Sequence, residues 1–228
     1  MKFILTGCTG FIGSEVLSQC LRNPSITSII ALSRRELPKA VANDPKLKVL
    51  IMKDFNNYPD SVIKELSGAD ACIWCMGTTA GIRELEVDYL FAFGNAFAKT
   101  IPETKKRFRY LHLSGSATER DPEKALWMKS EMRKMKGEAK LNMFSFTKKE
   151  ETQGLWETLI VKSGFVIQKE VKSPRDFLGW MAGNKFTLRV DELAAFMIDA
   201  SANGWGNSED TMSDVFTISS KGRKALGK

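Results

Sequence analysis

Residues 1–13 read MKFILTGCTGFIG, and this stretch decides how the rest of the chain is read. A short apolar run, Phe3 to Leu5, is followed by Gly7, Gly10 and Gly13, and a helical pattern begins at once. The order predicts a strand, a tight turn and a helix. Glycines let the backbone turn sharply and let an anion come close, while free N–H groups and the positive end of the helix dipole face that anion. We interpret the stretch as a dinucleotide phosphate site, with a plain strand-to-helix turn as the alternative.

The TGxxGxxG pattern of Thr6 through Gly13 resembles the short-chain dehydrogenase/reductase (SDR) superfamily. More narrowly, the chain looks like the atypical and extended members around the Tat-interacting-protein reductase-like proteins. The resemblance implies one Rossmann-type domain over residues 1–228 that binds NAD(P). It also implies that Thr9, Phe11 and Ile12 contact the cofactor together with the three glycines.

Strand and helix patterns alternate along the chain, which predicts a doubly wound parallel sheet with helices on both faces. Its ligand crevice is expected at the carboxyl ends of the strands. No linker or internal repeat divides the chain, and we read no second domain. Asp191 is expected to cap the last helix, and the irregular stretch Phe165 to Leu188 is expected to line the substrate pocket, so that residues 165–190 contribute to it. The predicted strands are at 3–5, 26–32, 47–52, 71–76, 109–113 and 158–161, and the predicted helices are at 11–21, 61–66 and 87–100, with the last beginning at 189–193.

Length and composition exclude several classes of protein. The 228 residues fit one large domain. No apolar run approaches the roughly 20 residues that a membrane span needs. The first strand is too short for a secretory signal, so we expect a cytoplasmic protein that does not enter a membrane.

The formal net charge is +7, with much of the excess between Lys129 and Lys149 and in the C-terminal KGRKALGK. Interspersed lysines usually cover a solvated helical face, and a cofactor with several phosphates also favours a basic protein. No zinc finger or RNA-recognition signature is present. The charge therefore does not indicate a nucleic-acid partner.

Cys72 and Cys75 have the CxxC spacing of a redox motif or of half a zinc site. Here they lie in an apolar run, where a strand would point residues three apart to opposite faces. A zinc site would need further ligands, and the chain's one histidine, His112, is in another predicted strand. We interpret the two cysteines as buried structural thiols and predict no metal site.

The end of the second predicted strand indicates which nicotinamide cofactor is bound. An acidic residue here binds the ribose hydroxyls of NAD, while arginine accommodates the 2′-phosphate of NADP. Ser33 is followed by Arg34 and Arg35, whose guanidinium groups can make forked hydrogen bonds to a phosphate. The sequence therefore predicts NADP(H), and the alternative is a pair of solvated surface arginines.

Further cofactor contacts are implied by the resemblance. Asp54 stands where similar chains place an aspartate against the adenine amino group, although it could equally cap its loop. Met76, Gly77 and Thr78 stand where relatives have a turn beside the cofactor. Glycine there permits close backbone approach, and the threonine hydroxyl can bond phosphate or ribose. The end of the fifth strand supplies Ser114.

SDR reductases use a tyrosine as general acid, a lysine four residues later and a serine that orients the carbonyl. The resemblance assigns the serine to Ser116, with Ser114 as alternate, and the lysine to Lys136, which also contacts the cofactor. Four residues before Lys136 stands Met132, whose thioether cannot donate a proton. Tyr110 lies in a strand and is expected in the core.

Three functions remain open at this point. The chain could be an NADP(H)-dependent reductase of a small carbonyl or activated alkene, in which Ser116, Lys136 or water supplies the proton. It could be a non-oxidative enzyme, such as an isomerase, dehydratase or cyclase, or a protein that senses NADP(H). The family also dimerises through the region of Val87 to Thr100, which makes a homodimer an expectation. We favour the reductase acting on a small-molecule substrate.

Overall fold

The computed structural model describes residues 1–78, 80–115, 130–170 and 187–228. The strands are β1 Lys2–Thr6, β2 Ser28–Ser33, β3 Leu47–Ile51, β4 Ala71–Trp74, β5 Phe108–Gly115, β6 Trp156–Ser163, β7 Phe165–Ile167, β8 Thr187–Arg189 and β9 Glu209–Met212. The helices are α1 Phe11–Arg22, α2 Lys39–Ala42, α3 Asp60–Leu66, a π-helical turn Glu84–Asp88, α4 Tyr89–Ala98, α5 Ile101–Thr104, α6 Ser130–Ser145, α7 Val190–Asn203 and α8 Val215–Ala225.

Seven strands form one parallel sheet in the order β3-β2-β1-β4-β5-β6-β9. This confirms the predicted doubly wound Rossmann-type fold. The chain runs outward from β1 to β3 and then crosses back, so that β4 pairs with the other side of β1. Thr6 is level with Leu32 of β2 on one side and with Trp74 of β4 on the other. A crevice therefore opens above the ends of β1 and β4, the place where such sheets bind ligands.

Helices cover both faces of the sheet, because the buried strands are apolar on both sides. One apolar cluster joins the sheet to α1, α7 and α8, and the other joins it to α3, α4 and α6. The second cluster is rich in aromatic rings. Trp74, Phe93, Tyr110 and Trp156 are fully buried there, and the ring centroids of Trp74 and Phe93 are 5.4 Å apart. This confirms that Tyr110 is a core residue, so it is not a hidden general acid.

Most predicted boundaries differ from the observed ones by one or two residues, and the contacts at two of them show why. β4 ends at Trp74 and not at Met76, because the backbone N–H groups of Cys75 and Met76 turn to Thr6 Oγ1, at 3.2 and 3.3 Å. Asp191 does not cap α7, because the cap position is Arg189. The Asp191 carboxylate instead lies buried in the first turn and accepts hydrogen bonds from Arg189 Nε at 3.1 Å and Lys228 Nζ at 3.2 Å.

The C-terminal part of the chain also differs from the structure that its sequence predicts. α7 is not the last helix, since β9 and α8 follow it, and β9 adds a polar strand to the edge of the sheet. The stretch Phe165 to Leu188 is not irregular at its ends, because β7 pairs in parallel with β8 in a separate two-stranded sheet. Residues 171–186 lie outside the described residues.

Cys72 and Cys75 are free thiols that belong to the clusters on opposite faces of the sheet, as the strand pattern predicted. Within the described ranges, no group of three His, Cys, Asp or Glu side chains could hold a metal ion. A search of the same ranges finds no helix with the length and apolar character needed to cross a bilayer.

Candidate active site

The glycine loop after β1 is shaped by close contacts that only glycine allows. Gly7 has a φ of +69°, and a Cβ there would lie 2.7 Å from the carbonyl carbon of Cys75. A Cβ at Gly13 would lie 2.2 Å from the carbonyl oxygen of Gly7. Gly10 closes the turn with a hydrogen bond from its N–H to the Gly7 carbonyl at 2.9 Å. The loop is thus packed between the end of β4 and the start of α1.

The N-terminus of α1 presents free backbone donors. Gly10 is its cap residue, makes no side-chain capping bond, and is followed by a first turn without acidic residues. The first N–H groups of a helix have no partner within it. Gly10, Phe11, Ile12 and Gly13 line a cavity at this end, and backbone donors at a helix start are of the kind that can bind an anion.

Three cavities touch the glycine loop, and two of them open at the carboxyl ends of the strands. The small cavity, of about 330 Å³, lies over β2 and the loop; it is lined by Gly7, Cys8, Thr9, Leu32, Ser33, Arg34, Arg35, Phe55 and Met76. The large cavity, of about 700 Å³, lies over β4, β5 and β6; it is lined by Gly10, Phe11, Ile12, Gly13, Cys75, Gly77, Thr78, Leu113, Ser114, Gly115, Met132, Lys136 and Ser163. The loop and the turn after β4 contribute residues to both cavities, so the two spaces are neighbours.

The small cavity has a cationic rim. Arg34 and Arg35 are both exposed, and Arg35 Nη2 lies 3.5 Å from Thr9 Oγ1. Ser33 Oγ donates a hydrogen bond of 2.6 Å to the Arg35 carbonyl, which fixes the turn that carries both arginines. Asp54, in contrast, is exposed and lines neither cavity. Asp54 Oδ1 accepts a hydrogen bond from the backbone N–H of Asn56 at 2.8 Å, so the side chain caps its own loop. A contact of Asp54 with adenine stays a prediction.

Lys136 reaches the wall of the large cavity from α6 and forms an ion pair with a residue that the sequence analysis did not identify. Its Nζ lies 2.7 Å from Glu86 Oε2, and the two side chains are 11% and 2% exposed. The second carboxylate oxygen, Glu86 Oε1, accepts the backbone N–H of Thr78 at 2.6 Å. One carboxylate therefore contacts both the predicted lysine and the predicted cofactor turn.

A signal for Glu86 exists in the sequence. Glu86 stands four residues before Leu90 in a stripe that continues through Phe93 and Phe97, and these three side chains are buried. A carboxylate in an apolar stripe needs a buried partner, because burial of an unpaired charge is costly. The partner, Lys136, is 50 residues away along the chain, so only the fold identifies it.

Met132 lies one helical turn before Lys136, and both residues line the large cavity. Residues four apart lie on the same face of a helix. Met132 therefore occupies the position where the resemblance implies a tyrosine, and its thioether has no proton to give. Ser116, the predicted serine, lies outside the described residues.

Ser114 lies at the end of β5 with its side chain at the large cavity. Its Oγ is buried and has no hydrogen-bond partner within the described part of the chain. A buried hydroxyl without a partner is costly, and it can be satisfied by a ligand in the cavity. The alternate serine of the sequence analysis is thus available for binding.

The other reactive side chains nearby are unsuited to proton transfer or nucleophilic attack near neutral pH. Burial, and secondarily the charge of Lys136, lower the pKa of His112 to about 3, so the imidazole is neutral. Burial raises the pKa of the Cys75 thiol well above its ordinary value, and it raises the pKa of Cys8 to about 12. Both thiols stay protonated and are poor nucleophiles.

Comparisons with known proteins agree with this fold. No protein-family model matches the sequence. The chain is 39% identical over 77 residues to leucinostatins biosynthesis cluster protein T of Purpureocillium lilacinum, which covers 34% of this chain and 28% of that protein. It is 33% identical over 78 residues to "Protein fmp52, mitochondrial" of Aspergillus niger. This match covers 34% of this chain and 33% of the Aspergillus protein. The matched part thus spans about a third of the length of these curated relatives.

Solved structures superimpose on most of the chain. The PhqB reductase domain of Penicillium fellutanum aligns with a TM-score of 0.68 and 18% identity, over 93% of this chain and 66% of that one. The dTDP-glucose 4,6-dehydratase of Bacillus anthracis, solved in complex with NAD, aligns with a TM-score of 0.67 and 15% identity, over 100% and 82%. At these identities the likeness shows a common Rossmann-type fold.

Proposed function

We propose that this protein binds NADP(H) across the glycine loop and reduces a small carbonyl or activated-alkene substrate. The observation that carries the proposal is the pair of cavities on either side of the start of α1. A dinucleotide has two nucleoside halves joined by a pyrophosphate, and an anion-binding helix start between two cavities matches that shape.

The lining residues fit the parts of the cofactor. Arg34 and Arg35 are suited to the 2′-phosphate, since two guanidinium groups can make charge-assisted hydrogen bonds to it. The uncapped N–H groups at the start of α1 are suited to the pyrophosphate. Thr78, Ser114 and Lys136 line the large cavity, which is suited to the nicotinamide half.

Bound NADPH would supply a hydride. The chain's own residues would orient the substrate and provide the proton: Ser114 Oγ–H can donate a hydrogen bond to the substrate oxygen, and the Lys136 ammonium can supply the proton. Met132 supplies none. Loss of a general acid typically lowers a rate by about 10²- to 10⁴-fold, so we expect a slow reductase.

Met132 also favours a second candidate, in which the cofactor is bound and no net reduction occurs. Such a protein could be a non-oxidative enzyme or a sensor of NADP(H). A reductase domain and a dehydratase are both among the proteins of this fold, so the fold itself does not decide. We keep a cytoplasmic location as a prediction, and the mitochondrial name of the Aspergillus relative makes the mitochondrion the compartment to test beside it.

The first experiment is calorimetric titration of the protein with NADPH and NADH at fixed salt. We expect NADPH to bind more tightly, and the Arg34→Ala/Arg35→Ala variant to lose affinity for NADPH by about 100-fold while NADH binding changes little, as expected for two lost charge-assisted hydrogen bonds. The matched control is Arg22→Ala/Lys39→Ala, which removes two charges from elements that do not line the small cavity. If neither NADPH nor NADH binds, the proposed cofactor site is refuted.

The second experiment separates the two candidate functions. A panel of carbonyls and activated alkenes is incubated with NADPH, and loss of absorbance at the reduced-nicotinamide band is followed. We expect turnover with some substrate and none in Lys136→Ala. Conversion of a substrate without consumption of NADPH would favour the non-oxidative enzyme, and unchanged turnover in Lys136→Ala would contradict the role of that residue.

A further inference from the structure

The carboxylate of Glu86 lies at the junction of three elements, two of which line the large cavity. It projects from the π-helical turn, and its two oxygens bind donors from two other elements: Lys136 Nζ of α6 at 2.7 Å and the N–H of Thr78, in the turn after β4, at 2.6 Å. Within the described part of the chain, Glu86 is the one hydrogen-bonding partner of the Lys136 ammonium. Glu86 thus determines where that ammonium lies.

The π-helical turn explains why a glutamate can reach this position. Its i→i+5 hydrogen bonds widen the helix, and two successive residues, Glu86 and Val87, are both buried. Single π-helical turns within helices are rare and occur frequently at functional sites. The carboxylate also lies directly below the cofactor turn, since a Cβ at Gly77 would be 3.5 Å from Glu86 Oε1.

A second ion pair shows that the contact with Lys136 is not needed simply to tether the same two segments. Arg83, the residue before the π-helical turn, binds Glu138 of α6 through two hydrogen bonds, one of them at 2.8 Å from Arg83 Nη1 to Glu138 Oε2. That pair is exposed, at 54% and 42%, and neither residue lines the small or the large cavity. The Glu86 pair is buried, and its Lys136 member lines the large cavity. A desolvated charge pair holds its geometry more firmly than an exposed one.

We propose that Glu86 is a positioning residue that holds the Lys136 ammonium, and through the Thr78 amide the turn after β4, beside the nicotinamide half of the cofactor. The proposal rests on the proposed function, because it assigns Glu86 a role toward the same cofactor. It also accounts for a lysine that keeps its place at the cavity although its predicted tyrosine partner is replaced by Met132. Glu86 acts through Lys136 and Thr78 and does not itself touch the reacting atoms.

The test compares a whole cofactor with half of it. NADPH and 2′,5′-ADP share the adenosine and the 2′-phosphate, but only NADPH has the nicotinamide riboside. In Glu86→Gln, which keeps the size of the side chain and removes its charge, we expect the Kd for NADPH to rise by about tenfold or more and the Kd for 2′,5′-ADP to stay within about threefold. Glu138→Gln, the control, breaks the exposed pair between the same segments, and we expect both affinities to stay as in the wild type.

Other outcomes overturn the proposal. Equal loss of both ligands in Glu86→Gln would mean that the carboxylate supports the fold of the whole site, and unchanged affinity for both would mean that it positions nothing. If Glu86→Gln does not fold, Glu86→Asp is measured with the same two ligands. Aspartate keeps the negative charge but is one methylene shorter, so we expect a smaller loss of affinity that is again selective for NADPH. A ratio of the two Kd values equal to that of the wild type would overturn the role. A wild-type protein that binds neither ligand would instead refute the proposed function, and with it any role of Glu86 toward the cofactor.

Discussion

The buried imidazole of His112 predicts how the stability of the protein changes with pH. Its pKa is about 3 in the folded protein and has an ordinary value of 6.5 in the unfolded chain. Above pH 6.5 neither state binds the proton, so the group has no effect on stability. Below 6.5 only the unfolded state binds it, and stability falls as the pH is lowered toward 3. pH 5 lies 1.5 pH units below the pKa of the unfolded state, which lowers the free energy of unfolding by about 2 kcal/mol.

The measurement is urea denaturation at pH 7, 6 and 5, followed by tryptophan fluorescence. His112 is the chain's one histidine, so no second imidazole titrates in this window. The pKa values of Asp70 and Asp191 are also lowered: desolvation raises them, but hydrogen bonds to the two carboxylates outweigh it. The stability that these groups contribute is lost only as the pH falls below their ordinary pKa of 3.8, which is outside the measured range. The control is His112→Gln, whose free energy of unfolding should stay nearly level from pH 7 to 5. Parallel pH profiles for the two proteins would refute the reasoning.

Three further predictions concern packing and the thiols. Gly13→Ala places a Cβ 2.2 Å from the Gly7 carbonyl oxygen, so we expect it to abolish nucleotide binding in a titration; retained affinity would contradict the loop geometry. Gly94→Ala places a Cβ 2.3 Å from Cε2 of the fully buried Phe146 ring, so we expect an overpacking cost near the upper end of about 1–3 kcal/mol. Alanine adds roughly 1 kcal/mol to a helix, which leaves a net loss of about 1–2 kcal/mol in urea denaturation; equal or higher stability would refute the contact. Burial raises the pKa values of the Cys75 and Cys8 thiols, so we expect a thiol reagent at pH 8 to label the native protein slowly. In denaturant we expect it to label all four cysteines rapidly; immediate labelling of the native protein would contradict the burial of the thiols.

The first half of the fold could be predicted from sequence because its signals are local. The apolar run of β1, the three glycines and the helical pattern of α1 follow one another within 22 residues, and each points to the same structure. The spacing of Met132 and Lys136 likewise placed both residues on one helix face. Both do line the large cavity, although the cofactor that they are predicted to meet remains a proposal.

The missed features depend on contacts that are distant in sequence. β9 reads EDTM and has no apolar alternation, because it pairs at the edge of the sheet with only β6 beside it. Asp191 has the residue type of a helix cap, but its partners Arg189 and Lys228 draw it into the first turn. Glu86 stands in an apolar helical stripe that indicates burial, but its partner Lys136 is on a helix 50 residues away, so only the fold identifies the pair.

The crossover from β3 back to β4 divides the crevice into two parts with different lining residues. Arg34 and Arg35 line the small cavity on the β2 side, whereas Ser114, Met132 and Lys136 line the large cavity over β4, β5 and β6. Mutations at well-separated sites with no shared partners usually have additive effects. A cofactor that spans both parts is a shared partner, so changes in the two parts are coupled through it. A designer who exchanges the arginines and introduces a tyrosine at position 132 in separate rounds therefore has to measure the combined variant as well.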